Sequence, residues 1–296
     1  MRHTGRERCG FSDVGTVLPR GANRDSKLVL SDRESREHPY PIDVPMNILF
    51  PAGRRQERIS TSRKLTLPTF DTLATMKGAF GDTMSDSDLF KKVVQRVFWM
   101  PSVGSKSFLI TIGDRFVGGL TVRDQMVGPW QTPVADVAVT ATSFSLDGMK
   151  TGEAMAMGEK PLLALISPAA SSRMAVAESL LNLGAAQIMG GSQPGDLQRV
   201  KLSANWMAAV DQPGEGAALY EAVEVLSLMC SQLGVSVPVG KDSMSMKASW
   251  RDGETSKSVT SPVSVVISAF TVVEDVRSTW TPQLRRVEDV GETILM

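Results

Sequence analysis

Apolar residues recur at helical spacing in three stretches of the chain. The spacing predicts helices over residues 85–100, 171–183 and 216–233. Ser85 or Asp86 would cap the first helix and Pro101 would end it, while Ser171 or Ser172 would cap the second. The residues predicted to form the core faces are, in order, Leu89, Val93, Val97 and Met100; Met174, Ala177 and Leu181; and Leu219, Val223, Leu226, Met229 and Leu233.

Shorter runs of β-branched and apolar residues lie between these helices and predict strands. An Asp252-Gly253 pair marks a hairpin turn before the last run. Strands mixed with amphipathic helices predict an α+β or α/β layer, in which helices cover one face of a sheet. The predicted strands are Ser107–Gly113, Asp136–Ser143, Leu162–Ser167, Val200–Asn205, Ser236–Val239 and Val263–Thr271.

The two ends of the chain differ in composition from its middle. Residues 1–62 are rich in Arg, Pro, Ser and Asp, and short apolar pieces such as Leu28–Leu30 predict short strands and turns that need a partner sheet. This part is therefore predicted to be the tail of something larger. Residues 63–84 are predicted to form a linker and residues 85–276 the sheet domain. Residues 277–296 end in ETILM, which predicts a new strand that is truncated.

Charge and cysteine content exclude several classes of function. The chain has 32 basic and 32 acidic residues, which gives no electrostatic reason to expect nucleic acid or an anionic membrane as its partner. No apolar run is long enough to span a bilayer. Two cysteines without metal-ligand spacing argue against a disulfide framework and a zinc site, and favour the cytosol. The only histidines, His3 and His38, lie outside the predicted sheet domain.

One stretch has no amphipathic period and concentrates unusual residues. Residues 117–136, VGGLTVRDQMVGPWQTPVAD, combine glycines, an Arg-Asp pair, an aromatic residue and a final acid. Such a run is typical of a loop that brings the backbone close to a ligand while it fixes a few polar groups. The alternative is a long surface loop.

Glu178 and Asn182 are four residues apart on a predicted helix, so they project from one face. Asp136, at the mouth of a predicted strand, could complete a set of oxygen ligands. Magnesium prefers a few carboxylate or amide oxygens together with phosphate and water. The alternative is that Glu178 and Asn182 form a solvated helix edge.

Two further segments could approach an anion. Lys106 lies in a glycine-flanked turn, where its ammonium could meet a phosphate. Residues Gly240–Ser243 predict a tight polar turn able to contact an anion, or a simple solvated loop. The common phosphate-binding patterns GxxxxGK[ST] and GxGxxG are absent from the sequence.

Six blocks of the sequence are specific enough to compare with known families. They are RDQMVGPWQTPVAD, AVAESLLN, KLSANWMAAVDQPGEGAALYEAV, VPVGKDSMSM, SPVSVVISAF and VEDVRSTWTPQL. Together these blocks resemble the large, glutaminase-fused form of phosphoribosylformylglycinamidine synthase, and they occur in the order of that family. The resemblance extends, more thinly, through KSFLITIGDR, RERCGFSDVGTV and PIDVPMNIL.

The resemblance implies that residues 1–62 are the tail of an α/β domain that ends a first synthetase half. The sheet domain of the second half would follow, an α+β fold with a mixed or antiparallel sheet covered by helices on one face, like the N-terminal domain of aminoimidazole ribonucleotide synthetase. Residues 277–296 would be the first strand of a truncated α/β domain. The family is an ATP-dependent ligase of purine biosynthesis that makes an amidine from formylglycinamide ribonucleotide and glutamine-derived ammonia. By resemblance, Ala135 and Lys106 would contact ATP or ADP, and Asp136, Glu178 and Asn182 would bind Mg²⁺.

The resemblance also implies that this chain lacks parts of the reaction machinery. The catalytic histidine of the family has no counterpart in His3 or His38, and the glutaminase triad belongs to a domain outside this sequence. We therefore expect the isolated chain to be inactive and its site to be the auxiliary, structural nucleotide site of the family. The alternative hypothesis is a stand-alone nucleotide-Mg²⁺-binding pseudoenzyme or structural subunit that docks on a separate synthetase.

Overall fold

The computed structural model divides into two compact units, Met1–Arg58 and Ile59–Met296, and each is described by itself. The residues that the structure describes are 8, 10–18, 26–50, 57–63, 65–67, 69, 71–113, 115–116, 118–132, 134–144, 150–190, 196–284 and 286–291. The predicted domain boundaries after residues 62, 84 and 276 stay predictions.

The described part of the first unit contains a small hairpin. Strand β1 (Lys27–Leu30) pairs antiparallel with β2 (Ile42–Pro45), and a short helix α1 (Met46–Leu49) follows directly. The Lys27 ammonium lies 3.0 Å from the Asp43 carboxylate across the pair. The structure confirms the short strand predicted at Leu28–Leu30 and pairs it with β2.

Three helices precede the main sheet in the second unit. They are α2 (Thr72–Phe80), α3 (Asp86–Phe98) and α4 (Ser107–Ile112). Ser85 caps α3 because its hydroxyl accepts the Asp88 N–H, as the sequence predicted. The prediction of a strand at Ser107–Gly113 was wrong. In the structure this short segment forms a helix, although it contains Ile110, Thr111 and Ile112, which favour strands. Tertiary packing can override the strand preference of such a short run.

A five-stranded mixed sheet forms the centre of this unit, in the order β3-β4-β9-β5-β6. All neighbouring strands are antiparallel except β5 and β6. Thus the predicted α+β class with a mixed sheet is confirmed. The strands are β3 (Val137–Ala141), β4 (Gly152–Glu159), β5 (Lys201–Met207), β6 (Ser236–Ser243) and β9 (Ser264–Val273).

Helix α6 (Pro168–Leu183) packs on β4 at unusually close range. The buried positions of this strand are all Gly or Ala, and a Cβ at Gly158 would lie 2.0 Å from the Ala175 carbonyl oxygen. The helix backbone therefore occupies the space where a side chain would otherwise stand. Buried residues Ala175, Val176 and Leu183 of α6 join the core between helix and sheet.

Helix α7 (Glu215–Leu233) crosses between the parallel strands β5 and β6 and lies on the same face of the sheet. Its buried residues Ala222, Leu226 and Cys230 belong to the same core as the buried residues of α6. Gly234 ends the helix with φ +70°, as predicted from the sequence. Burial raises the pKa of the Cys230 thiol.

Several sequence predictions around β4 were wrong. Residues 162–167 do not form a strand, because Pro161 opens the short helix α5 (Pro161–Ala164) and Ser167 caps α6. The α6 cap is thus Ser167 rather than Ser171 or Ser172. The predicted core face of α6 was also wrong, since Met174 and Leu181 are 46% and 78% exposed.

Two polar strands were missed. Strands β7 (Lys247–Asp252) and β8 (Thr255–Thr260) form a separate hairpin whose residues are all exposed. The predicted turn at Asp252-Gly253 is confirmed, with Gly253 at φ +60°, but it joins these two strands. The polar turn predicted at Gly240–Ser243 was wrong, because these residues extend β6 beside β5.

The described part of the chain ends with a short helix α8 (Val287–Val290). The strand predicted over residues 292–296 lies outside the described residues. Among the helices described, none combines the length and the apolar character that a membrane crossing requires.

Candidate functional site

Asp136, Glu178 and Asn182 lie at one edge of the main sheet, where its strands begin or end. At this edge β3 and β9 begin, while β4, β5 and β6 end, as the strand registers require. Asp136 directly precedes β3, and Lys160 directly follows β4. Loops and helix termini at a sheet edge commonly carry binding residues on a rigid scaffold.

The loop before Asp136 is held by backbone hydrogen bonds to β3 and to itself. The Val122 N–H donates to the Val139 carbonyl oxygen, and the Ala135 N–H donates to the Gln125 carbonyl oxygen. Gly128, at φ +80°, allows the chain to reverse between these contacts. This folding brings Ala135 and Asp136 to a fixed position at the sheet edge.

Charged residues of the loop also order it. The Arg115 guanidinium forms an ion pair with the Asp124 carboxylate, and the Met126 N–H donates to the same carboxylate. The Met126 N–H and then the Arg115 guanidinium hold the pKa of Asp124 below its usual value of 3.8. Arg123 donates to the Thr279 carbonyl oxygen at 3.4 Å, which joins the loop to a later segment.

A cavity of about 260 Å³ opens where the loop, α6 and the segment after β9 meet. Asp136 and Asn182 supply its charged and amide side chains, while Leu181, Ala185 and Trp280 supply apolar surface. The Trp280 N–H donates to the Ala185 carbonyl oxygen at 2.7 Å and fixes that wall. The cavity is thus lined by residues that carry possible oxygen ligands for a cation, beside an exposed apolar surface.

Asn182 has a defined orientation in this cavity. Its side-chain Nδ2 donates to the Met157 carbonyl oxygen of β4 at 3.3 Å. Because the amide nitrogen is a donor, Oδ1 is the only side-chain atom of Asn182 that could bind a cation. The structure therefore places an amide oxygen and the Asp136 carboxylate in one cavity.

Glu178 lies one helical turn before Asn182, next to the cavity. Its Oε2 accepts the Glu159 N–H at 2.8 Å, and its Oε1 accepts the Lys160 ammonium. Both side chains of this ion pair are about one third exposed. Glu178 is thus bonded within the protein rather than being part of a solvated helix edge.

The structure brings some of the predicted residues together and not others. Ala135, Asp136 and Asn182 line one cavity, with Glu178 close by on the same helix. Lys106 is exposed, donates to the Gly104 carbonyl oxygen at 2.8 Å, and is not one of the described residues that line the cavity. Sequence reasoning missed Trp280 and Lys160, which no local spacing connects to the site.

The side chains of Asp136, Asn182 and Glu178 could bind a cation only through oxygen atoms, and oxygen ligands suit a hard cation such as Mg²⁺. No group of three or more His, Cys, Asp and Glu side chains that could hold a metal occurs among the described residues. A cation here would therefore need the Asn182 amide and oxygens from water or from a phosphate ligand. The apolar wall beside these donors suits the organic part of such a ligand.

Comparison with known protein families identifies a match over the centre of the chain. Residues 105–272, more than half of the chain, match the family model described as the FGAR-AT PurM_N-like domain. This match covers helix α4, the loop, α6 and all but the last residue of the main sheet, and it includes Asp136 and Asn182 but not Trp280.

Longer proteins resemble the chain over almost its whole length. It is 51% identical over 292 residues to phosphoribosylformylglycinamidine synthase of Schizosaccharomyces pombe and 47% identical to that of Saccharomyces cerevisiae. Each alignment covers 98% of this chain but only 21% and 19% of those proteins, so the chain spans about a fifth of their length. The PurLQS structure from Thermotoga maritima aligns with 86% of this chain and 33% of its own, at 15% identity and TM-score 0.48.

Proposed function

Since this chain belongs to the FGAR-AT PurM_N-like domain family, we propose that it forms the magnesium-nucleotide-binding part of a phosphoribosylformylglycinamidine synthase. One observation carries the proposal. Asp136 and Asn182, which are 46 residues apart in sequence, line the same cavity. The relatives named phosphoribosylformylglycinamidine synthase support the choice of enzyme.

Each residue has a role in this proposal. Asp136 and the Asn182 Oδ1 would hold Mg²⁺, and Glu178 would join them from the preceding turn of α6. Bound Mg²⁺ would neutralise part of the charge on the phosphates of ATP or ADP. Ala135 would contact the nucleotide, Trp280 and Leu181 would shield it, and Lys106 remains a prediction for the same ligand.

The wider activity is also a proposal, and it concerns the longer protein. Such a synthase would use ATP to activate the amide oxygen of formylglycinamide ribonucleotide, so that glutamine-derived ammonia displaces phosphate and gives the amidine. The site of this chain would be an auxiliary one that stabilises a bound nucleotide, in a protein of the cytosol. The complete reaction is assigned to a longer protein because this chain spans only about a fifth of the length of its relatives.

We predict that the isolated chain does not form the amidine. The measurement is an assay with formylglycinamide ribonucleotide, ATP, Mg²⁺ and free ammonia, with the product detected by mass spectrometry. A complete synthase under the same conditions is the positive control. Turnover by the chain alone would contradict its assignment as an auxiliary part.

We further predict that ADP with Mg²⁺ raises the thermal midpoint of the chain. Ligand at about 100 times its Kd stabilises a protein by about 2.7 kcal/mol, which corresponds to a rise of about 5 to 10 °C. Glu178→Ala should lose most of this rise because one metal ligand is gone. Differential scanning fluorimetry with and without the ligand measures the shift for each variant.

Glu224→Ala is the matched control, since Glu224 is an exposed acid on α7 whose carboxylate accepts the Tyr220 hydroxyl at 3.4 Å. It should keep the full rise. If the thermal midpoint rises equally in Glu178→Ala, Glu224→Ala and the unchanged chain, Glu178 is not a metal ligand.

A further inference from the structure

The Lys160 ammonium forms an ion pair with Glu178, a proposed metal ligand. Its ammonium bonds to Glu178 Oε1, the carboxylate oxygen that does not accept the Glu159 N–H. The ion pair is two-thirds buried, which makes it stronger than a fully solvated pair. Within the protein, the Glu178 carboxylate therefore already has a cationic partner.

The backbone of Lys160 is fixed where this contact requires it. Lys160 directly follows β4 and precedes α5, and its carbonyl oxygen accepts the buried Ser171 hydroxyl at 2.6 Å. Ser171 lies on α6, the same helix that carries Glu178 and Asn182. Two contacts thus join Lys160 to one helix, through its backbone and through its side chain.

We propose that Lys160 is an internal counter-ion that holds Glu178 until a divalent cation displaces it. The inference rests on the proposed function, because it assumes that Glu178 is a metal ligand. In the exchange, the cation takes Oε1 and the ammonium moves away into solvent or toward an anionic ligand. Lys160 stays protonated throughout, so no proton is transferred.

This arrangement has two consequences for the site. Without a cation, the Lys160 ammonium balances the negative charge of the Glu178 carboxylate. When a cation arrives, it must compete with the ammonium, so Lys160 lowers the affinity of the site for the bare metal. Once displaced, the ammonium has three N–H donors for the oxygens of a phosphate.

Binding of Mn²⁺ to the chain, measured by electron paramagnetic resonance without nucleotide, tests the inference. Lys160→Met should bind Mn²⁺ about fivefold more tightly, the factor that corresponds to about 1 kcal/mol for a partly solvated ion pair. Lys160→Arg, which keeps the competing charge, should bind within twofold of the unchanged chain. Lys201→Met is the matched control at the opposite edge of the sheet, where the Lys201 ammonium donates to the Gln198 carbonyl oxygen.

A double-mutant cycle separates direct competition from a general charge effect. In a Glu178→Gln background, Lys160→Met should change Mn²⁺ affinity by less than twofold, since the shared carboxylate is gone. The same gain with or without Glu178 would overturn the inference. So would equal affinities of Lys160→Met and the unchanged chain.

A measurement on the unchanged chain covers the case in which Lys160→Met does not fold. NMR of the lysine Nζ signals during a Mg²⁺ titration should show a shift for Lys160 and none for Lys201. A Lys160 signal that stays constant while the cation binds would overturn the inference and leave the proposed function intact. If no cation binds to the chain, or if Asp136→Ala binds it equally well, the proposed function fails and this inference fails with it.

Discussion

Replacing Gly158 with Ala is expected to lower the free energy of unfolding by about 3 kcal/mol or more. The added Cβ would lie 2.0 Å from the Ala175 carbonyl oxygen and 2.7 Å from the Ser179 nitrogen. Both atoms belong to the backbone of α6, so the helix itself would have to move away from β4. Overpacking of a well-packed core commonly costs about 1 to 3 kcal/mol, and here no flexible side chain can yield.

Chemical denaturation, followed by circular dichroism, measures this loss. Gly240→Ala is the matched control, because Gly240 also lies in a strand but its Cβ would come no closer than 3.8 Å to the Trp206 ring. Its effect should stay below about 1 kcal/mol. Equal stability of the two variants would contradict the close packing of α6 on β4. Since α6 carries Glu178 and Asn182, Gly158→Ala should also weaken metal-nucleotide binding.

Asp136→Ala is expected to weaken the binding of Mg²⁺-ADP by about 100-fold or more. Among the described residues that line the cavity, Asp136 supplies the one carboxylate. Loss of groups that merely support metal ligands already costs about 10- to 100-fold in affinity. A 100-fold loss corresponds to about 2.8 kcal/mol of binding free energy. Asp136 is exposed, so the substitution should leave the fold intact.

Isothermal titration calorimetry with ADP at fixed Mg²⁺ measures the affinity of each variant. Asp252→Ala is the control, because Asp252 is an exposed acid that pairs with Lys257 on the separate hairpin of β7 and β8. It should bind as the unchanged chain does. A Kd for Asp136→Ala within threefold of that of the unchanged chain would show that Asp136 is not a ligand.

Helices and strands with strong local patterns were predictable from the sequence. Helix α7 and strand β9 carry long apolar patterns with clear ends, and the structure confirms both. Strand β4 was missed because its buried positions are glycine and alanine, which give no alternation of apolar and polar residues. The same small residues explain the wrong core face predicted for α6, which buries Ala and Ser rather than Met and Leu.

The candidate site was only partly predictable for a related reason. The i, i+4 spacing of Glu178 and Asn182 places both on one helix, and the end of a strand places Asp136 near a sheet edge. Lys160 and Trp280 join the site through sheet register and tertiary packing, which no local pattern reveals. The phosphate contact of Lys106 stays a prediction from its flanking glycines, and in the structure its ammonium donates to the Gly104 carbonyl oxygen.

The position of a bound metal tests the central proposal most directly. Crystals of the chain grown with Mn²⁺ and ADP would reveal the metal by its anomalous scattering. We predict one Mn²⁺ about 2.2 Å from the Asp136 carboxylate and from the Asn182 Oδ1, with Glu178 released from Lys160. Mn²⁺-ADP bound elsewhere on the chain, with none in the cavity between Asp136 and Asn182, would contradict the proposal.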